Sequence, residues 1–384
     1  IKVLRQQKKA VDTVTITPLL KGKVPVSYLL ELTGSIPTTA NFKAYVGVVN
    51  EMANRRKMLQ ALHKCALKAN DMECGDFIQQ IEQQIFELAA ASVKADEYRK
   101  MADIAMEVID EVDESIKQGG KTILGKTTGY PSLDRCTAGM QDGELIIVAG
   151  RPSMGKTAFA LNIARNFAKK VKEPITIFSL EMTAKALAYR FAAMETKIDS
   201  MRIRTGNMQD KEISDFAVLM SNIMNMQISI VDTPGLTMAD IRSMARRIAK
   251  DNGNKMGLVI IDYLQLVRIP GKNTVFEFGQ VAKDAKEMAK ELDCPVILLS
   301  QLSRSCEARV NKRPIMSDLR ESGDIEAAAD KIIMLYRDEV YNPDTDEKGI
   351  AEVIICKGRD SGTGIVKMAW IPTLTLFGEL ENRY

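Results

Sequence analysis

The sequence of 384 residues lacks the features of a membrane or secreted protein. No run approaches the roughly 18 consecutive apolar residues that a membrane span needs, and no charged-then-apolar amino terminus directs secretion. The six cysteines show no C-x-x-C spacing, which argues against a disulfide framework or a zinc site. These absences favour a cytoplasmic protein that makes no contact with a membrane.

The chain also has few histidines and a small net charge. The single histidine, His63, lies in a helical stretch, where an isolated histidine is usually structural and not catalytic. The formal net charge of +3 is too small to indicate nucleic-acid binding by itself. Any nucleic-acid contact must therefore come from local clusters of basic residues.

The most informative stretch is Gly150–Thr157, which reads GRPSMGKT and matches the phosphate-binding pattern G-x-x-x-x-G-K-[ST]. It follows an apolar run, Leu145–Ala149, that predicts a buried strand, and it precedes a predicted helix. In such a loop the backbone N–H groups face the β- and γ-phosphates. The helix dipole, Lys156 and a Mg²⁺ ion held by Thr157 neutralise their charge. We expect a nucleoside triphosphate to bind to Ser153, Met154, Gly155, Lys156, Thr157 and Ala158.

Three regions of the chain differ in pattern. Residues from about 26 to 93 have apolar residues at helical spacing, which predicts a helical domain over 1–93 that serves assembly or partner binding. Residues 94–123 predict a linker helix and hinge, whose apolar stripe either folds back on its own chain or docks on a neighbouring subunit. From 124 to 384, short apolar runs alternate with helical segments. That alternation predicts an α/β domain with a mostly parallel sheet flanked by helices.

Three predicted strands are followed by polar side chains, and ligands collect at the carboxyl ends of parallel strands. Glu181 follows the second run and would polarise the attacking water if its strand adjoins the loop strand. Asp262 would hold Mg²⁺, and Gln301 would sense the γ-phosphate and pass its presence to the next segment. Singly, each also fits a polar strand exit; together they favour a catalytic site.

The segment that follows Gln301 is polar and rich in basic residues as far as Gly323, and it has no tyrosine or tryptophan. It predicts a loop that follows a nucleic-acid backbone without reading bases, and a solvated charged loop is the alternative. Its basic residues are Arg304, Arg309, Lys312, Arg313 and Arg320.

A second basic pair, Lys357 and Arg359, follows the apolar run Ala351–Cys356. Residues two apart in extended chain point to one side. If the site is built between subunits, this pair would stabilise the transferring phosphoryl group of a neighbour. The alternative is an ordinary basic pair on the surface.

In order and spacing, these segments resemble the DnaB family of replicative hexameric DNA helicases, which have a RecA-like motor domain. The resemblance covers essentially the whole chain, although the expected first helices of the family's amino-terminal domain are missing, which is consistent with a truncated or incompletely ordered chain. The segments that carry it are LDRCTAG at Leu133–Gly139, GRPSMGKTA at Gly150–Ala158, SLEM at Ser179–Met182, IDYLQL at Ile261–Leu266, LSQLSR at Leu299–Arg304 and SDLRESG at Ser317–Gly323.

The resemblance implies a P-loop motor driven by ATP and Mg²⁺ in a ring of six subunits that encircles single-stranded DNA. It implies 5′ to 3′ translocation, a primase and a helicase loader as partners, and a bacterial cytoplasm, or a host cytoplasm for a phage protein. It places Arg320, Glu321 and Gly323 on the loop that lines the central channel. Lys357 and Arg359 fall where the family has its trans-acting pair.

Two other functions share part of this pattern. A RecA-like recombinase has the same chemistry at the strand ends, but it would not have the helical amino-terminal domain or the segment Ser317–Gly323. A nucleotide-switched scaffold without motor activity has no need of Lys156, Glu181 and Arg359. We therefore expect a helicase.

Overall fold

The computed structural model describes residues 100–117, 123–269, 277–319 and 322–380, with a few helical residues between 52 and 60. The chain divides into two compact units, residues 1–113 and 114–384. Most of the helical domain predicted over 1–93 lies outside the described residues, as do Arg320 and Glu321. Among the residues described, no helix is long and apolar enough to span a bilayer.

Helix α1 (Met101–Lys117) is the helix predicted from the amphipathic pattern. Four side chains of its apolar stripe are more than half exposed. These four are Met101, Val108, Val112 and Ile116. Docking of this stripe on a neighbouring subunit stays a prediction.

The second unit contains a sheet of nine strands within the described residues. The strands are β1 (Leu145–Gly150), β2 (Ile175–Ser179), β3 (Ile228–Val231), β4 (Leu258–Asp262), β5 (Val296–Gln301), β6 (Lys331–Tyr336), β7 (Ile350–Gly358), β8 (Gly364–Ile371) and β9 (Leu376–Glu379). Their spatial order is β3-β2-β4-β5-β1-β6-β7-β8-β9. β1 to β6 pair in parallel, whereas β7, β8 and β9 continue the sheet in antiparallel pairs.

The helices cover the sheet. They are α2 (Pro131–Thr137), α3 (Lys156–Lys170), α4 (Ala184–Thr196), α5 (Ser200–Thr205), α6 (Asp210–Met224), α7 (Met238–Asp251), α8 (Glu277–Leu292) and α9 (Ser322–Ala328). Alternate side chains of β1 enter two different cores, with Ile146 packing among residues of α3 and Ile147 among residues of α7 and α8. Burial on both faces explains why inner parallel strands such as β1 and β4 are nearly continuous apolar runs. The predicted α/β, mostly parallel architecture is confirmed.

The antiparallel strands β8 and β9 were not predicted from the sequence. β8 alternates between buried and partly exposed positions, so it lacks the continuous apolar run that marked the parallel strands. Its Trp370 and the β9 residue Phe377 pack with ring centroids 4.7 Å apart. Phe377 also meets Phe159 of α3 edge-on at 5.2 Å. The antiparallel end of the sheet thereby supports the helix that follows β1.

Candidate nucleotide-binding site

The loop Gly150–Thr157 connects β1 to α3, as the phosphate-binding pattern predicts. Gly155 caps α3 with a φ of 98°, a conformation that side chains rarely adopt. A Cβ at this position would lie 3.2 Å from Cζ of Phe377, so space and backbone conformation both favour glycine. The N-terminal N–H groups of α3 are therefore free of side-chain capping and suited to bind an anion.

The Lys156 side chain contacts backbone carbonyls of the phosphate-binding loop. Its Nζ donates to the Gly150 carbonyl at 3.0 Å and approaches the Arg151 carbonyl at 3.4 Å. Burial lowers the pKa of Lys156, while the nearby carboxylates of Asp262 and Glu181 oppose that shift. The ammonium thus lies among the loop carbonyls and two carboxylates, at the place where phosphates would bind.

Thr157 and Asp262 form the part of the site suited to a metal ion. Thr157 Oγ1 donates to Asp262 Oδ2 at 2.8 Å, whereas the other carboxylate oxygen, Oδ1, is buried and accepts no hydrogen bond. Burial raises the pKa of Asp262, and the Glu181 carboxylate adds to the shift. An unsatisfied buried oxygen beside a hydroxyl suits Mg²⁺ coordination through water. The described residues hold no cluster of three or more His, Cys, Asp or Glu side chains that could bind a metal ion.

An open cleft of about 430 Å³ lies over the loop. Of the residues predicted to bind nucleotide, Ser153, Gly155, Lys156, Thr157 and Ala158 line it. The side chain of Met154 instead belongs to the hydrophobic core, so only its backbone is available to a phosphate.

Glu181 and Gln301 also line the cleft. The sequence placed Glu181 there on the condition that its strand adjoins β1, and this condition is not met, because β4 and β5 lie between β2 and β1. Glu181 reaches the cleft nevertheless, since these parallel strands end at the same edge of the sheet.

Outside the loop Gly150–Thr157, four further lining residues were missed in the sequence: Arg190, Tyr263, Trp370 and Thr375. Burial lowers the pKa of Arg190, and the Asp262 and Glu181 carboxylates oppose this. Arg190 therefore brings a positive charge to the cleft from α4. No motif surrounds it, so no sequence signal was available.

Gln265, which follows β4 in a short turn, fixes the backbone of Gln301. Its Nε2 donates to the Gln301 carbonyl and to Ser300 Oγ, both at 3.2 Å, and its Oε1 accepts from the Gln301 N–H at 3.1 Å. Gln265 stands in the segment IDYLQL, but no sequence pattern assigned it a role. The structure makes it a positioning residue for Gln301.

The polar segment after Gln301 is described from Leu302 to Leu319, and these two residues form an antiparallel bridge. The Arg309 guanidinium makes two hydrogen bonds to the buried carboxylate of Asp318, at 2.7 and 2.6 Å, and one to the Arg313 carbonyl at 2.9 Å. Arg309 was predicted to bind DNA, and that role stays a prediction; in the structure its donors are engaged within its own segment. Its donors hold the segment together.

The other basic residues of the segment differ in availability. Arg313 is paired with Glu352 through two hydrogen bonds of 2.7 Å, and the Lys312 ammonium lies 4.9 Å from the centre of the Tyr341 ring. Arg304 is exposed, as is Gly323 in the first turn of α9. Arg304 and Gly323 thus remain accessible to a ligand.

Lys357 and Arg359 lie at the edge of the sheet opposite the phosphate loop. Lys331 pairs with Ile146 near the start of β1 and with Gly358 at the end of β7, whereas the phosphate loop leaves the other end of β1. The Arg359 guanidinium is 54% exposed and bonds to Asp330 at 3.2 Å. Nζ of Lys357 donates to two carbonyls at the end of α9, at 2.6 and 2.8 Å.

A phosphate loop at the end of a central parallel strand, with a buried aspartate two strands away, defines the class. The protein is a P-loop ATPase with a RecA-like α/β domain.

Comparison with known proteins gives the family. Residues 125–379 match the family model of the DnaB-like helicase C terminal domain. The chain is 38% identical to the replicative DNA helicase DnaC of Bacillus subtilis (strain 168), over 100% of this chain and 86% of that protein. It is 39% identical to the replicative DNA helicase DnaB of Geobacillus stearothermophilus, over 97% of this chain and 84% of the relative.

Solved structures indicate the same family. One, described as a DnaB-like replicative helicase and its interactions with primase, is 33% identical with a TM-score of 0.67 and covers 99% of this chain and 90% of its own. Another, described as an ATPase domain, is 38% identical with a TM-score of 0.67 and covers 72% of this chain and 98% of its own. The chain belongs to the DnaB-like family of ATP-dependent replicative DNA helicases. These comparisons give the recombinase alternative no support.

Proposed function

We propose that the chain is one subunit of a hexameric ring in which ATP is hydrolysed between neighbouring subunits. Hydrolysis drives 5′ to 3′ movement along single-stranded DNA and separates a duplex at a fork. The observation that carries this proposal is the distribution of groups over the sheet. The phosphate loop lies at one edge, and the exposed Arg359 lies at the other.

The carboxyl edge of the sheet supplies the part of the site that belongs to the subunit itself. Lys156 binds the β- and γ-phosphates of ATP, and Glu181 orients and polarises the attacking water. Thr157 and Asp262 would hold Mg²⁺, which supplies positive charge next to the phosphates. Gln301, whose backbone Gln265 holds in place, senses the γ-phosphate.

The opposite edge supplies the part that acts on a neighbour. From Ile146, level with the end of β7, to Gly150 is four residues of strand, or about 13 Å. A guanidinium must come within about 2.9 Å of a phosphate oxygen to bond it, so Arg359 acts in the cleft of another subunit. Lys357 must first leave the two carbonyls at the end of α9, so we give Arg359 the principal role.

A head-to-tail ring brings one subunit's Arg359 edge to the next subunit's cleft. The exposed apolar stripe of α1 supports such an assembly, because it offers a surface for a neighbouring subunit to cover. By analogy with the relative described with primase, we propose a primase as a further partner. A helicase loader is proposed from the family resemblance alone. The site of action is then the cytoplasm of a bacterium, or of the host if a phage encodes the protein.

The segment after β5 and the first turn of α9 supply the contact with DNA. Arg304 is exposed in the 3₁₀ turn Arg304–Ala308, and Gly323 presents its backbone without a side chain. Arg320 and Glu321, which lie outside the described residues, belong to the same stretch by family resemblance. Backbone and arginine contacts to phosphate agree with sequence-independent tracking along a strand.

The test is strand separation of a forked duplex with a free 5′ tail, measured beside ATP hydrolysis with and without single-stranded DNA. We expect ATP-dependent separation, none with a fork that has only a 3′ tail, and none with Lys156→Ala. Lys170→Ala, at the exposed end of the same helix, is the matched control and keeps the activity. DNA-stimulated hydrolysis without separation, in an assembly that is a filament and not a ring, would exclude the helicase in favour of a recombinase.

A further inference from the structure

Arg151 joins the phosphate loop to the polar segment that follows β5. Its Nη1 donates to the Leu302 carbonyl at 2.9 Å, and its Nε donates to Glu307 Oε1 at 2.8 Å. The backbone carbonyl of the same residue lies 3.4 Å from Nζ of Lys156. The main chain of Arg151 thus meets the phosphate-binding lysine, and its side chain meets the segment proposed to contact DNA.

We infer that Arg151 and Glu307 form a coupling pair that links nucleotide binding in the cleft to the position of the DNA-facing segment of the same subunit. This inference rests on the proposed function, since it requires that the segment after β5 contacts single-stranded DNA. Neither residue has another role in the proposed function: neither is proposed to bind phosphate, and neither is proposed to contact DNA.

The chemistry of the pair suits a link that forms and breaks. The planar guanidinium contacts a carbonyl and a carboxylate at once, which a lysine ammonium on a flexible stem does less well. The Arg151 side chain is only 11% exposed, whereas Glu307 is 40% exposed and regains water when it leaves. The hydrogen bond from Arg151 holds the pKa of Glu307 below its usual range, so the carboxylate is charged at neutral pH.

Backbone contacts near the pair also connect the phosphate loop to the segment after β5. The Leu302 N–H donates to the Gly150 carbonyl at 3.3 Å, so the loop and the segment also meet through their backbones. Lys156 donates to that same carbonyl, and phosphates that attract the ammonium compete with it. A change in the Gly150–Arg151 backbone therefore reaches Leu302 directly.

Hydrogen bonds within the segment Leu302–Leu319 hold its two ends together, so a shift at one end also moves the other. The Ser303 N–H donates to the Asp318 carbonyl at 2.8 Å, and the Arg309 guanidinium grips the Asp318 side chain. Leu302 and Leu319 are bridged, and the accessible residues Arg304 and Gly323 lie within and just after this segment. We therefore expect this segment to move as a rigid body.

Glu307→Gln tests the inference. The amide keeps the shape of the side chain but removes its charge, and Glu307 does not line the nucleotide cleft. We expect basal ATP hydrolysis to stay the same and the stimulation by saturating single-stranded DNA to fall by about 5-fold, the low end of the usual range for coupled sites. The matched control is Glu212→Gln, which removes an ion pair with Arg202 on α5 and α6 and should leave the stimulation intact.

A double-mutant cycle with Arg151→Lys completes the test. If the two side chains act as a pair, the double variant stimulates no worse than the more impaired single variant. Additive losses, or full stimulation in Glu307→Gln, would overturn the inference. Because Glu307 is on the surface, its variant carries the test even if Arg151→Lys does not fold. If DNA fails to stimulate the unmodified protein, it is the proposed function that falls.

Discussion

Arg359→Ala gives the sharpest test of a site shared between subunits. The substitution removes an exposed guanidinium, and the Asp330 carboxylate that it leaves keeps its bond to Lys286 at 2.7 Å. Asp330 is buried, but it also accepts from the Leu145 N–H, so the loss of the exposed guanidinium leaves it paired and should cost on the order of 1 kcal/mol of stability. An arginine that stabilises a transferring phosphoryl group is worth about 10³-fold or more in kcat, or at least about 4 kcal/mol.

Mixing two inactive variants separates action within a subunit from action across an interface. An Arg359→Ala subunit keeps its own cleft, and a Glu181→Ala subunit keeps its own Arg359. In rings assembled at random from equal amounts, about one quarter of the interfaces join an intact Glu181 to an intact Arg359. We therefore expect recovery to about one quarter of normal hydrolysis if the interfaces act independently, and to less if they must act in sequence.

The assay is steady-state ATP hydrolysis by rings that were dissociated, mixed and reassembled, with subunit composition checked by a tag on one variant. Arg246→Ala is the matched control, because its side chain is 55% exposed and is also paired with a carboxylate. No recovery in rings proven to be mixed would refute action in trans. So would an unmixed Arg359→Ala ring that retains more than about a tenth of normal turnover.

Four further substitutions test other parts of the site. Asp262→Asn should lower ATP turnover by about 100-fold and raise the Mg²⁺ concentration needed, measured by Mg²⁺ titration; an unchanged requirement would remove Asp262 from the metal site. Arg304→Ala should weaken DNA binding and reduce the salt slope by about 1, measured by fluorescence anisotropy, whereas Arg309→Ala should lower stability by about 3 kcal/mol through its buried partner. Equal effects of the two arginines on DNA binding would contradict this division. Gln265→Ala should reduce kcat several-fold with KM for ATP unchanged, because it frees the sensor glutamine; a change in KM alone would count against a positioning role.

The parallel part of the fold could be predicted from the sequence because its strands are buried on both faces. Runs such as Leu145–Ala149 are apolar throughout, and the polar residue after each run marks the edge where ligands bind. β8 could not be found in the same way, since its burial alternates along the strand. As a result, Trp370 and Thr375 were missed as lining residues of the cleft.

Side-chain pairing inside the polar segment also could not be predicted. Arg309 and Asp318 are nine residues apart in irregular chain, where no periodic pattern brings two side chains together. By composition Arg309 and Arg304 were equally suited to bind phosphate. Only the structure shows that one guanidinium is committed to a buried carboxylate while the other is exposed.

The distribution of charges explains why a subunit alone should be a poor ATPase. Its cleft gathers Lys156 and Arg190 against the carboxylates of Asp262 and Glu181, a balance of two positive and two negative groups before any phosphate enters. A nucleoside triphosphate with Mg²⁺ adds net negative charge to this site, and further charge develops on the transferring phosphoryl group in the transition state. We propose that additional positive charge comes from Arg359 of a neighbouring subunit, because this residue lies at the far edge of its own sheet. Catalysis would then require assembly of the ring.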